Sequence, residues 1–210
     1  MMQNTASPSL RIGCAGWSLP REQWPHFPDV GSHLERYAAR FGMVEVNSSF
    51  YRPHRFETYA RWAASTPAGF RFAVKLPKAI THERQLADAM PLCDQFFGQV
   101  GGLGEKLGCM LAQLAPRMAF DAATAERFFA DLRNRHGGRV ALEPRHASWF
   151  TPEADALLAR HRIGRVLADP VLHDAAVAPG GWPGLVYVRM HGTPRVYWSA
   201  YDDALLARVA

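Results

Sequence analysis

The chain reads as an α/β protein, specifically an incomplete TIM-type (β/α) barrel with seven recognisable strands and the eighth missing. Three observations predict this. Six short apolar runs, at 44–47, 72–75, 111–113, 141–146, 166–169 and 187–191, each end on an ionisable or amide side chain. Helical patterns separate most of them, and a βαβα alternation gives a parallel sheet with helices outside. The only early glycine cluster, Gly13-Cys14-Ala15-Gly16, lacks the phosphate-cradling spacing that a doubly wound sheet would show.

Strand signals begin near Arg11, Met43, Arg71, Cys109, Arg139, Arg165 and Leu185. After the first, Ser32-His33-Leu34-Glu35 is a capping box, in which serine and glutamate satisfy each other's free backbone N–H groups. Leu34, Tyr37, Ala38 and Phe41 make the apolar stripe of that helix, and Gly42 is its expected left-handed stop. A second helix runs over 56–64, and a third over 90–100 before Gly101-Gly102. The fourth starts at the cap Asp121 and ends before Gly137-Gly138. Thr151-Pro152, a cap followed by proline at the first helical position, opens the fifth. Residues 178–184 read as loop, and a last helix is expected over 199–209.

At 210 residues the chain is expected to be one domain over 10–210 behind a polar leader at 1–9. The net charge of +5 permits an anionic partner without demanding one, and no run of like charges suggests a nucleic-acid tail. Lys75, Lys78 and Lys106 are the only lysines; the rest of the 24 basic residues are arginine. Cys14, Cys93 and Cys109 lack metal-like spacing and read as reduced buried thiols. With no long apolar span and no signal-like leader, the expectation is a cytoplasmic protein without a membrane partner.

Several motifs carry a resemblance. Ile12-Gly13-Cys14-Ala15-Gly16-Trp17-Ser18, Val44-Glu45-Val46-Asn47-Ser48-Ser49-Phe50-Tyr51, Phe72-Ala73-Val74-Lys75-Leu76-Pro77-Lys78 and Gln113-Leu114-Ala115-Pro116 are four of them. Glu143-Pro144-Arg145-His146-Ala147-Ser148-Trp149, Asp169-Pro170 and Tyr187-Val188-Arg189-Met190-His191-Gly192 follow in order. Together they resemble the YecE-like family, domain of unknown function 72, over about 10–201. The resemblance implies a TIM-barrel-like fold with a further strand and helix after Tyr201. It brings no reaction with it.

Strand parity picks out the candidate site. Side chains two apart on a strand share a face, so Glu45 pairs with Asn47, Glu143 with Arg145, and Arg189 with His191. In a βα barrel the strand C-termini meet at one mouth, where such enzymes keep their chemistry. Glu143 beside Arg145 is the leading acid–base candidate, since a neighbouring guanidinium favours the ionised carboxylate. His191 and Asp169 join it as proton-moving or orienting groups. Lys75 is either an anion anchor or, if burial depresses its pKa, a Schiff-base amine. Anchoring is the favoured role, because the sequence shows too little apolar surrounding for the amine chemistry. Glu45, Asn47, Tyr51, Gln113, Arg145, His146, Trp149 and Arg189 are the expected substrate contacts.

Three functions compete. The first is an enzyme moving protons on a small molecule that carries phosphate or carboxylate. The second is a metal-dependent phosphodiesterase or nuclease resembling endonuclease IV, with Glu45, Glu143 and Asp169 plus His146 or His191 on divalent ions, and nucleic acid as its partner. The third is a non-catalytic ligand-binding barrel. No metal site is assigned, no cofactor is required outside the second reading, and the oligomeric state stays open.

Overall fold

The computed structural model describes residues 10–209. The expected leader at 1–9 lies outside the described residues. The architecture is mixed α/β, built on a mostly parallel six-stranded sheet. Its strands are β1 (Met43–Val46), β2 (Arg71–Lys75), β3 (Leu107–Gln113), β4 (Val140–Glu143), β5 (Ile163–Arg165) and β7 (Gly180–Gly181), in that spatial order. β6 (Leu167–Asp169) and β8 (Val188–Met190) form a separate parallel pair. Among the described residues no sheet closes on itself, and the strands fall into two sheets where one incomplete barrel of seven was expected.

Three expectations change here. The strand expected near Arg11 shrinks to a single bridge, Ala15 to Glu45, with Glu45 N–H donating to the Cys14 carbonyl (2.9 Å) and Gly16 N–H to the Glu45 carbonyl (2.9 Å). Leu10 and Ile12 are therefore left exposed, and so is Cys14. The run at 166–169 follows straight on from β5 but changes partners. β5 pairs with β4, whereas β6 pairs only with β8. Finally, Gly180–Gly181 adds an antiparallel edge to β5 where only loop was expected.

Local signals hold where chemistry is local. Helix α1 (His33–Ala38) carries the full capping box between Ser32 and Glu35. It ends at Ala38, however, and not at Gly42, which has no left-handed φ. Helix α2 (Ser48–Tyr51) is a single turn directly after β1. Helix α3 (Phe56–Ala64) has its C-terminal carbonyls closed by Lys106, whose Nζ donates to Ala63 O (2.5 Å) and Thr66 O (2.6 Å). Helix α4 (Met90–Val100) runs on into a 3₁₀ stretch, Gly101–Lys106. Asp121 caps α5 (Ala122–Arg135) through Thr124 N–H (2.8 Å), and Thr151 caps α6 (Pro152–Arg160) through Ala154 N–H (3.2 Å). Helix α7 (Asp203–Val209) begins later than expected. No described helix is long and apolar enough to cross a membrane.

Two apolar clusters show the parity of the sheet. Val44, Val46, Phe72, Val74, Met110, Ala112, Val140 and Leu142 pack with the helices, against Phe96, Phe128, Phe129 and Leu158. The alternate positions Ala73, Cys109, Leu111, Ala141 and Val166 form a second, smaller cluster with Met43, Leu185 and Tyr187. This second face is lined by small residues, so the 185–189 segment can lie close against it. Gly164 shows how close: a Cβ there would sit 2.6 Å from the Leu185 carbonyl oxygen.

Gly164→Ala is therefore expected to destabilise the fold by roughly 1–3 kcal/mol, the usual cost of overpacking. Gly98→Ala, in the exposed interior of α4 with open space around it, is expected to stabilise by about 0.5–1 kcal/mol. Urea unfolding of both variants checks the opposite signs.

A candidate active site at the strand ends

Four neighbouring strands bring polar side chains to one end of the small-residue face. Register places Glu45 beside Ala73, Lys75 beside Leu111, and Gln113 beside Glu143. All four polar residues thus continue the rows that Ala73, Leu111 and Ala141 begin. Arg189 enters from β8 opposite them, with Tyr187 two residues earlier on the same face.

Arg189 is the centre of the arrangement. Its Nε and Nη2 donate to the two oxygens of Glu45 (3.0 and 2.7 Å), and its Nη1 donates to Glu143 Oε2 (2.5 Å). Tyr187 OH donates to Glu45 Oε2 (2.8 Å). Glu45, Glu143 and Arg189 are 5 %, 2 % and 7 % exposed, so these are buried, charge-assisted hydrogen bonds. Burial works against the Arg189 charge, but the hydrogen bonds from Glu45 and the field of Glu143 outweigh it and hold the group above its ordinary range. Burial, then the Glu45 carboxylate, pushes the Tyr187 phenol well up.

Lys75 sits at the other side of Glu143. Its Nζ donates to Gln113 Oε1 (2.8 Å), and Gln113 Nε2 donates to Glu143 Oε1 (2.9 Å). The ammonium also lies 4.2 Å from the Phe50 ring centroid. Phe50 is held there because Ser49 ties α2 to two strands, its one hydroxyl proton shared between the Lys75 carbonyl (2.6 Å) and the Val46 carbonyl (3.0 Å). Burial first, and Arg189 second, lower the Lys75 pKa to about 8, with Glu143 and Glu45 opposing.

Arg145 has a different environment. Its Nε is 3.6 Å from Glu143 Oε1, too far for a hydrogen bond, and has no other partner. Its side chain is 36 % exposed, so the guanidinium reaches from the buried carboxylates towards solvent. His191 Nε2 is buried without a partner; burial and then Arg189 lower its pKa. Asn47 Oδ1 is also buried and unpartnered, at the edge of a hollow of about 570 Å³ lined by Trp17, His33 and Glu45 among others.

The other expected contacts fall elsewhere. Asp169 accepts from Thr193 Oγ1 (2.5 Å) and Tyr201 OH (2.6 Å). It lies off the ring because Ala168, not Asp169, is the register partner of Arg189. Trp149 is a core residue, 1 % exposed, with its indole N–H on the Met118 carbonyl (3.0 Å). His146 caps the turn Ala147–Trp149 through Ser148. Tyr51 is 77 % exposed, edge-on to Phe50, on the rim and away from the hydrogen-bonded ring. Among the described residues no three His, Cys, Asp or Glu side chains converge as metal ligands.

Three contributors were missed from sequence. Tyr187 was within reach, since it is two residues from Arg189 and so shares its face. Phe50 follows a strand end as Trp149 does, and nothing in the sequence sets it apart. His82 lies within a single π-helical turn, Ala79–Glu83, and packs edge-on to Phe50 (4.9 Å between ring centroids). Its pKa is lowered by burial and then by Lys75, Arg145 and Arg117, which places it near the cationic side of the ring.

Removing Arg189 leaves the buried Glu45 without a cation and takes from Glu143 its closest one. Arg189→Met is expected to cost about 3–5 kcal/mol, and Tyr187→Phe about 1–3 kcal/mol, in urea unfolding near neutral pH. Lys75 gives a pH signature. Its folded pKa of about 8 lies below the unfolded value of about 10.4, so between these the unfolded chain binds more protons. Stability relative to Lys75→Gln should rise with pH across that window and be flat below it. Unfolding of the pair from about pH 7 to 10 measures the difference, and a flat difference throughout would contradict the assignment.

The comparisons with known proteins agree with this architecture. A family model described as "Protein of unknown function DUF72" matches residues 11–210. The UPF0759 protein YecE of Escherichia coli (strain K12) is 32 % identical over 105 residues, covering 50 % of this chain and 37 % of that protein. The UPF0759 protein YunF of Bacillus subtilis (strain 168) is 28 % identical over 151 residues, covering 68 % and 53 %. The matches thus span about a third to a half of these relatives' own length. Among solved structures, a DUF72 family protein from Thermotoga maritima MSB8 superposes with a TM-score of 0.71 at 23 % identity, covering 95 % of this chain and 84 % of that one. One from Enterococcus faecalis V583 gives 0.72 at 20 %, covering 95 % and 82 %. Read with the strand order and the ring of polar strand ends, the match over nearly the whole chain means that this protein belongs to the DUF72 family.

Proposed function

We propose that the chain is an enzyme that performs acid–base chemistry on a small anionic substrate, one bearing phosphate or carboxylate, at the ring of strand ends. In the same reading the two sheets are arcs of one incomplete TIM-type barrel, bridged where Arg189 and Tyr187 meet Glu45. The supporting observation is the line Lys75–Gln113–Glu143, which ends beside the partly exposed side chain of Arg145. A lysine with a pKa of about 8 and a carboxylate on one amide can exchange protons with a bound molecule near neutrality. Arg145 grips the anion. His191 offers Nε2, for which the protein itself supplies no partner.

Arg189 takes a different part from the one expected of it. Three of its nitrogens are given to Glu45 and Glu143, so it organises the carboxylates and leaves the anion to Arg145. The metal-dependent nuclease reading draws less support for the same reason, since the guanidinium lies between the carboxylates that would share an ion. Unpartnered Asn47 Oδ1 and His191 Nε2 favour an occupied pocket, and a non-catalytic binder would show that as well.

Calorimetric titration with inorganic phosphate tests the reading. Saturable binding near neutral pH is expected, weakened about tenfold or more by Arg145→Met, the loss of a charged hydrogen bond. Glu143→Gln should keep or tighten that binding while abolishing turnover of any phosphorylated small molecule the wild type converts. Absence of saturable binding, or equal affinity in Arg145→Met, would overturn the anionic-substrate reading. Binding with no turnover would leave the non-catalytic one.

A further inference from the structure

The chain has three lysines, and they are placed in three different ways. Lys106 is consumed by backbone oxygens and Thr66 Oγ1 at the end of α3. Lys78 is half exposed and paired with Glu83 at 3.2 Å. Lys75 alone is buried, and no carboxylate lies within ion-pair distance of its nitrogen among the described residues. Its single side-chain acceptor is a neutral amide oxygen, and an aromatic ring closes one side of the amine.

We infer that Lys75 is a nucleophile that forms an imine with the carbonyl carbon of an aldehyde or ketone carrying an anionic group. The inference rests on the acid–base reading of the ring and deepens it by naming the class of substrate. The low-polarity surrounding that the sequence did not disclose comes from burial: Lys75 is 8 % exposed, with Phe50 covering one side of the amine. Two guanidiniums, on Arg189 and Arg145, act on the amine from the carboxylate side and disfavour a third positive charge there. A neutral amide between Lys75 and Glu143 keeps the carboxylate one group away, so that it does not pair directly with the ammonium.

The chemistry balances with the groups present. The neutral Nζ lone pair forms the new C–N bond, the carbonyl π electrons move to oxygen, and that oxygen takes a proton to give a carbinolamine. The nitrogen gives up one proton, the hydroxyl takes a proton and leaves as water while the C=N bond forms, and the resulting iminium gives up its remaining N–H proton. The net change is amine plus carbonyl to imine plus one water, with no oxidant or reductant. These protons are exchanged with solvent, while Gln113 and Glu143 hold the amine in position. Arg145 would hold the anionic group of the substrate.

Reductive trapping tests this. The full chain is incubated with glycolaldehyde phosphate and sodium cyanoborohydride near neutral pH, and the adduct is mapped by peptide mass spectrometry. Mapping separates Lys75 from Lys78, Lys106 and the α-amino group. Each unit by which an amine pKa falls gives about tenfold more free base below it, so labelling at Lys75 should exceed that at Lys78 by roughly tenfold or more. The rate at Lys75 should rise to a plateau above about pH 8. Replacing the probe by uncharged glycolaldehyde should slow labelling at Lys75 selectively, and so should Arg145→Met. Lys78→Arg, an exposed control, should leave it unchanged.

Labelling of Lys78 at or above the level of Lys75 would overturn the inference. So would equal labelling by the charged and uncharged aldehydes. Phosphate binding that survives in a protein whose Lys75 is not trapped would sink the imine alone and leave the acid–base reading standing; loss of both would remove the two together. Lys75→Arg keeps the positive charge and the stem, so its unfolding curve shows whether a lost adduct reflects a lost amine or a lost fold.

Discussion

A single guanidinium organises the strand ends. Arg189 comes from the second, two-stranded sheet, yet its hydrogen bonds go to β1 and β4 of the first. Bringing three charged groups out of water is costly, and such clusters persist only when nearly every donor and acceptor is matched. Here the match is close: both oxygens of Glu45 are taken by Arg189, one of them shared with Tyr187, and Glu143 divides its oxygens between Arg189 and Gln113. The cluster is thus a geometric clamp. It fixes where β8 sits relative to β1 although no backbone ladder joins them.

That clamp sets the electrostatics of everything beside it. Two carboxylates face three basic groups, Arg189, Arg145 and Lys75, leaving one positive charge over when Lys75 is protonated. Loss of the lysine proton brings the group to neutrality, and with a Lys75 pKa of about 8 this happens close to physiological pH. Charge balance therefore links the protonation of Lys75 to whatever anion enters. An anion near Arg145 favours the ammonium; a carbonyl needs the free amine. Binding an anionic carbonyl compound pulls in both directions, so the distance between anion and lysine becomes the controlling variable.

Much of this was legible because strand parity and helix caps are local. Ser32 with Glu35, Asp121 and Thr151 act within three residues of themselves, and each behaves as the sequence predicts. Polar residues at the ends of apolar runs marked the shared face of Glu45, Lys75, Gln113 and Glu143, and parity added Arg189. What stayed hidden depends on partners distant in sequence. The run at 10–14 has strand character but meets β1 at one bridge only. Trp149 and Phe50 both follow strand ends and look alike as sequence, yet one is sealed under Met118 and Phe120 while the other lies against the Lys75 amine. Asp169 was displaced by one residue of register, which is enough to turn a side chain to the opposite face.

Burial lowers the Lys75 pKa, and an amide at position 113 does not counter it with a negative charge. Gln113 bridges an amine that can only donate and a carboxylate that accepts, so its orientation is forced, oxygen towards Lys75 and nitrogen towards Glu143. A carboxylate in the same place would pair directly with the ammonium and hold it charged, and an apolar residue would leave Glu143 one hydrogen bond short in a buried site. The amide satisfies both neighbours while carrying no net charge between them. It passes on position and withholds electrostatic stabilisation, and that separation keeps a buried lysine and a buried glutamate side by side without their becoming a salt bridge.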